Sequence, residues 1–218
     1  AGEVVAFLVA TPVPARNETA TEQALATPKD LRSYLKKLIE HDPKQLMVVE
    51  KEIDPVFEVT AIVGQMRNDA RWPNYPAVLF RKVKGPSIPL LINLQGTYER
   101  LALAIDSDLQ NMVEEFGRRE NCPTPTKQVD RARAPVKQVI WKGANADVTK
   151  LPILRHQELD SGKYITSAVF ILRDPKTGVQ NAGIYRSMLH GPQEVGFMTG
   201  AFQGGNYILV EHRERKQP

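Results

Sequence analysis

Six consecutive residues, Asn181-Ala182-Gly183-Ile184-Tyr185-Arg186, bring together an amide oxygen, a flexible glycine, an aromatic ring and a permanent cation. An Asn side-chain carbonyl can serve a hard cation as an oxygen ligand without adding charge. An Arg guanidinium stays charged and offers a planar fork to a carboxylate or phosphate. Alternation along a strand predicts Asn181, Gly183 and Tyr185 on one face and Ala182, Ile184 and Arg186 on the other. A ligand wrapped around such a strand would meet both an oxygen donor and a guanidinium. Read more plainly, the same residues describe an edge strand with an exposed Asn and an Arg in a surface ion pair.

Downstream, Met198-Thr199-Gly200 and Gln203-Gly204-Gly205 add hydroxyl, amide and glycine positions. Glycine lets a main chain approach a ligand closely, although two adjacent glycines more often mark a turn. Other chemistry is sparse: the chain has no GxSxG, HExxH, Walker or GxGxxG motif. Its single cysteine, Cys122, lies between Asn121 and Pro123, excludes an internal disulfide and reads as an inert thiol in a reducing, cytoplasmic setting. His156 and Asp160 are placed to pair across a turn in a structural role, and Asp106, Asp108, Glu114 and Glu115 read as a solvated face.

The elements that must position these residues follow from pattern. Tyr164 to Leu172 is apolar, Asp174-Pro175-Lys176-Thr177-Gly178 is a turn, and the strand through Asn181 follows, which predicts a β-hairpin. Further β-like runs are Val136 to Trp141, Gln180 to Leu189 and Glu194 to Met198. The N-terminal half differs. Thr27-Pro28 opens a helix whose Leu31, Leu35, Leu38 and Ile39 share one stripe. Helical patterns recur at Phe57 to Met66, Glu99 to Ile105 and Leu109 to Phe116, with strands at Leu46 to Val49, Ala77 to Val83 and Leu90 to Leu94. The polar, proline-containing stretch 121–126 separates the two characters.

With 218 residues, 42% hydrophobic and 25% charged, the composition is that of a globular protein. No stretch has the length of a transmembrane helix, and the short opening run Val4 to Ala10 follows Glu3 without a basic region, so it makes a poor signal peptide. The net charge of +4 is spread among alternating acids and bases. That pattern argues against nucleic acid and suits acidic substrates or a phosphate-bearing cofactor.

The hexapeptide Asn181 to Arg186 resembles the signature of the UbiD family of decarboxylases. The likeness extends over Leu151-Pro152-Ile153, His156, Asp160 to Thr166, Met198-Thr199-Gly200, Gln203-Gly204-Gly205, Asp30-Leu31-Arg32 and Pro76 to Phe80. It implies an α+β chain: an extended arm over 1–26, an α/β domain over 27–122 and a mainly antiparallel split β-barrel flavin-binding domain over 123–218. It implies prenylated FMN as cofactor, with Mn²⁺ and a monovalent cation such as K⁺. Asn181 matches the metal ligand, and Arg186 matches the arginine beside the flavin and the substrate carboxylate. Ile184, Tyr185, Met198, Thr199, Gly200, Gln203 and Gly204 fall at cofactor contacts. Some relatives carry a metal-binding His near the Gln-Gly-Gly stretch, where this chain has Ala201-Phe202-Gln203.

The implied reaction is reversible, non-oxidative loss of CO₂ from an aromatic or α,β-unsaturated acid. The Ile-Tyr-Arg form is nearer to relatives acting on hydroxybenzoate-type acids. The implied partners are a flavin prenyltransferase as cofactor supplier and further copies or a complementing chain. Because family members are longer, the expectation is a fragment or short subunit, inactive by itself, whose acidic metal ligand lies beyond Pro218. A split-barrel FMN reductase and a non-catalytic assembly subunit are the alternative readings.

Overall fold

The computed structural model describes residues 30–69, 75–122 and 128–216, so the arm over 1–26 and the Thr27-Pro28 helix start lie outside the described residues. The chain divides into two compact units, one containing residues 54–60 and 141–216 and the other the rest of the described residues.

The N-terminal unit opens on α1, Leu31–His41, and its cap is Asp30. The Asp30 carboxylate accepts from the Ser33 N–H at 2.8 Å while the Ser33 hydroxyl accepts from the Asp30 N–H at 3.0 Å, so two orphan donors are satisfied reciprocally. Strand β1, Leu46–Val49, runs parallel to β2, Ala77–Phe80, in the register Leu46 to Ala77. Strand β3, Leu90–Ile92, returns antiparallel to β2 with Leu79 opposite Leu91. A parallel pair needs a crossover, and the connection carries α2, Glu58–Asp69. Phe57 was expected inside this helix but holds φ at 68°, a left-handed conformation that ends the helical run at Glu58. Helix α3, Tyr98–Ala104, is capped by Thr97, and α4 covers Met112–Asn121. Leu109 to Asn111 stay outside α4 because the Asp108 carboxylate captures the N–H groups of Gln110 and Asn111, both at 2.9 Å.

Behind the sheet lies a buried cation. Arg100 is 1% exposed, and it donates to the carbonyls of Leu94, Tyr75 and Asn93 and to Gln45 Oε1 at 2.9–3.1 Å. With Leu38, Ala77, Val78, Phe80 and Ala102 it fills the core of this unit.

The C-terminal unit carries two antiparallel sheets. One has the order β4, Tyr164–Ile165, then β7, Ser187–Gly191, then β8, Glu194–Phe197. The other is the hairpin of β5, Val169–Arg173, and β6, Gln180–Ile184, closed by the expected turn. In that turn the Gly178 N–H donates to the Asp174 carbonyl at 2.8 Å, and Gly178 takes φ 74°. Among the described residues these strands do not close into a barrel. Two apolar runs read as continuous strands are broken: Tyr164 to Leu172 splits at 166–168, and Gln180 to Leu189 splits at Tyr185-Arg186. The Val136 to Trp141 run is not a strand, because Pro135 starts a 3-10 turn over Pro135–Lys137 and the β-branched residues after it find no pairing partner among the described residues. A helix not anticipated from the sequence, α5, spans Gly204–Glu214 and packs against β5 and β6.

Candidate functional site

Strand β6 exposes and buries its residues in alternation. Asn181 and Gly183 are half-buried and Tyr185 is buried, whereas Ala182, Ile184 and Arg186 are exposed, as the period of two requires. Phe170 and Leu172 of β5 stand opposite Gly183 and Asn181 on the inner face.

Tyr185 organises that inner face. Its ring meets Phe170 and Phe197 edge-on at 5.8 and 5.9 Å, and those two rings stack on each other at 4.6 Å. It also lies over Gly183, where a Cβ would come within 2.6 Å of it. The hydroxyl accepts from the Gly205 N–H at 2.8 Å and thereby caps one of the free donors in the first turn of α5, where Gln203 makes no side-chain cap bond. A Cβ at Gly205 would fall 2.4 Å from Tyr185 Oη. The glycine pair read as a turn is thus the first turn of a helix, and Gly205 is glycine because the Tyr185 ring occupies the space of its side chain.

Asn181 sits beside that helix start. A Cβ at Gly204 would lie 2.9 Å from Asn181 Nδ2. Asn181 Oδ1 is buried and has no hydrogen-bond donor. A buried carbonyl oxygen left without a donor costs free energy, and native structures rarely leave one without a reason. The following turn is tied locally: the Gly200 N–H donates to Gln203 Oε1 at 2.6 Å, and Thr199 Oγ1 donates to Asn206 Oδ1 at 3.2 Å. Gln203 Oε1 is therefore already engaged, while Asn181 Oδ1 is free to bind.

Arg186 lies on the opposite, exposed face. Its Nη2 donates to Met198 Sδ at 3.4 Å, and its guanidinium carbon lies over the Tyr164 ring, 5.4 Å from the centroid. The Met198 N–H donates to the Arg186 carbonyl at 3.0 Å, which fixes the two backbones together. Asn206 was not singled out in the sequence, and Tyr164 only as part of the run Asp160 to Thr166, without a role; only pairing across β4 and the start of α5 brings them here.

No group of three or more His, Cys, Asp or Glu side chains is poised for a metal among the described residues. His212 contacts the Arg173 carbonyl at 3.1 Å, and His190 is a residue of β7. Asp160 does organise a turn, accepting from the N–H groups of His156 and Gln157 at 3.1 and 2.9 Å. Burial lowers the pKa of His156, and Asp160 opposes that shift. No helix among the described residues is long and apolar enough to cross a membrane.

Two family models match the chain. The 3-octaprenyl-4-hydroxybenzoate carboxy-lyase N-terminal domain matches residues 40–120, and the Rift-related domain of the same enzyme matches residues 127–218. The anhydromevalonate phosphate decarboxylase of Methanothermobacter thermautotrophicus is 32% identical over 161 residues, which covers 74% of this chain and 34% of that protein. The UbiD-class enzyme HmfF of Pelotomaculum thermopropionicum, in complex with FMN, superposes with a TM-score of 0.77 at 33% identity, covering 86% of this chain and 40% of that one. Its evolved dimeric form, in complex with prFMN, gives 0.78. The vanillic acid decarboxylase of Sedimentibacter hydroxybenzoicus gives 0.78 at 28% identity, covering 88% of this chain and 41% of that one. The chain spans about a third of the length of the curated relatives it matches. Two adjoining family models that cover most of the sequence, and a fold shared at these scores, make this chain a member of the UbiD family.

Proposed function

We propose that this chain supplies the flavin-side half of a decarboxylase site that uses prenylated FMN and Mn²⁺. The observation that carries the reading is Asn181 Oδ1, a buried oxygen with no donor beside the glycine start of α5. It suits a hard divalent cation, which prefers neutral and anionic oxygen ligands. In this reading the carboxylate ligands come from segments outside the described residues, among which no group of three His, Cys, Asp or Glu side chains is poised for a metal. When bound, the prenylated flavin supplies the electron sink for the departing carboxylate.

The chain's own residues bind and orient. The Ile184 side chain and the Tyr185 main chain lie along the flavin, and the missing side chain of Gly204 lets Asn181 sit against the start of α5 beside it. Met198, Thr199, Gly200 and Gln203 build the adjoining turn. Arg186 holds the substrate carboxylate by its fork of N–H donors. The substrate class is an aromatic or α,β-unsaturated acid, and K⁺ would accompany the divalent ion. Support comes from relatives described as acting on vanillic acid and anhydromevalonate phosphate, and as complexes with FMN and prFMN. A flavin prenyltransferase would provide the cofactor, in the cytoplasm, and a second copy or a complementing chain would complete the assembly.

The test is mass spectrometry of ligand released from the full-length protein, co-produced anaerobically with a flavin prenyltransferase and supplied with Mn²⁺. A prenylated FMN mass, lost in Asn181→Ala, supports the reading. Unmodified FMN would replace it with a reductase, and an empty protein that releases no CO₂ from 4-hydroxybenzoate would replace it with a scaffold.

A further inference from the structure

Residues 54–60 precede the stretch 121–126 that divides the two halves in sequence, yet they fold with residues 141–216. Two main-chain bonds hold them there. The Arg155 N–H donates to the Pro55 carbonyl at 3.1 Å, and the Phe57 N–H donates to the Arg155 carbonyl at 3.0 Å. This is the pattern of a parallel ladder, with Val56 opposite Arg155. One residue earlier, the Leu154 carbonyl accepts from the Tyr164 N–H at 2.8 Å, so residues 55–57 are an outer rung on the sheet of β4, β7 and β8. Side chains fasten the join. The Arg155 guanidinium lies over the Phe57 ring, 5.3 Å from its centroid, and is itself held by the carbonyls of Glu158 and Asp160 at 3.0 Å. The Thr60 hydroxyl, in the first turn of α2, reaches the His156 carbonyl at 2.7 Å and the Phe57 carbonyl at 2.9 Å. Phe57 meets these partners with φ at 68°. A residue with a β-carbon keeps such a conformation only where its surroundings impose it.

We propose that residues 54–60 are a clasp on the flavin-side unit, with Phe57 as its strained latch, and that clasp closure and flavin binding are coupled. The inference rests on the proposed binding of a flavin along Ile184 and Tyr185. The route between the two runs through β4. Leu154 and Arg155 are adjacent, Leu154 is bonded to Tyr164, and the Tyr164 ring lies beside the guanidinium of Arg186, the residue after Tyr185. A ligand that orders this corner therefore orders β4, and β4 holds the segment on which the clasp closes. Strain at Phe57 gives the clasp a relaxed open alternative. Whatever favours the closed form is then favoured by it in equal measure.

The experiment is amide hydrogen exchange of the full-length protein, first in low urea and then with FMN. In urea the Phe57 and Arg155 amides should exchange in the same opening event as those of Tyr164 and Leu189, and not with Leu79 of β2. Exchange with Leu79, or at the rate of a free loop, overturns the clasp. Saturating FMN should slow the Phe57 and Arg155 amides about fivefold. Thr60→Val keeps the shape and removes the hydroxyl, and it should weaken FMN about two- to fivefold by titration of flavin absorbance. Slowing confined to residues 198–205, with Thr60→Val binding FMN as the wild type does, overturns the coupling. If Thr60→Val does not fold, the wild-type exchange decides. FMN that slows no amide overturns the flavin reading and the coupling with it, while the urea series still decides the clasp.

Discussion

Adding one methyl group at Gly205 should destabilise the C-terminal unit although it improves helix propensity. The new Cβ would stand 2.4 Å from Tyr185 Oη and 2.6 Å from Cζ. Tyr185 is 4% exposed and bracketed by Phe170 and Phe197, so its ring cannot swing aside without moving both. Overpacking of this kind costs about 1–3 kcal/mol. Displacing the helix also stretches the Gly205 N–H to Tyr185 Oη bond, with a net worth of about 1 kcal/mol. Alanine returns at most about 1 kcal/mol of propensity. The expected net loss is about 1–3 kcal/mol, measured by urea unfolding of Gly205→Ala in the full-length protein. Gly117→Ala is the control: its Cβ would meet nothing within 4 Å inside α4, so that substitution should stabilise by about 0.5–1 kcal/mol. A double-mutant cycle with Tyr185→Phe should show coupling, because removing the hydroxyl removes the nearest obstacle. Gly205→Ala within 0.5 kcal/mol of wild type, or strict additivity in the cycle, would refute the packing of α5 on Tyr185.

Two further outcomes follow from the same chain. Arg100→Met should cost about 3 kcal/mol or more by chemical denaturation, because it strands three carbonyls and the Gln45 amide oxygen around a buried site. Stability should fall on the acid side. The Asp174 pKa is held below 3.8 by its bonds to Thr177 and Lys176, so its contribution is complete above that value and is lost as pH drops through the lower, folded-state value. Burial likewise sets the His156 pKa below 6.5; its neutral form is favoured, and stability declines as the imidazole is forced to protonate. A melting temperature followed from pH 7 to pH 3 should therefore decrease monotonically, and His156→Gln should flatten the limb just below 6.5.

Local pattern determined a good deal of this protein. The two-residue period of β6 places Asn181, Gly183 and Tyr185 inward and Arg186 outward in the sequence as in the structure, because side-chain direction along a strand depends only on neighbouring residues. The hairpin turn at Asp174 to Gly178 is local in the same sense, whereas of the stripe expected on α1 Leu38 is buried, Leu31 and Leu35 are half-buried and Ile39 is exposed. The family resemblance was carried by the same short runs. What the tertiary structure decided lies elsewhere. Position 205 admits only glycine because the Tyr185 ring, distant in sequence, fills the space of a side chain there, and at position 204 Asn181 does the same. Val136 to Trp141 has strand-forming residues but finds no ladder, and β propensity without a partner does not make a strand. The unpaired oxygen of Asn181 and the ring and thioether contacts of Arg186 are likewise facts about neighbours. Residue type supplies an oxygen and a cation; only the packing of α5 against β6 leaves that oxygen without a donor among the described residues, and only the pairing of β4 with β7 lays the Tyr164 ring beside that cation.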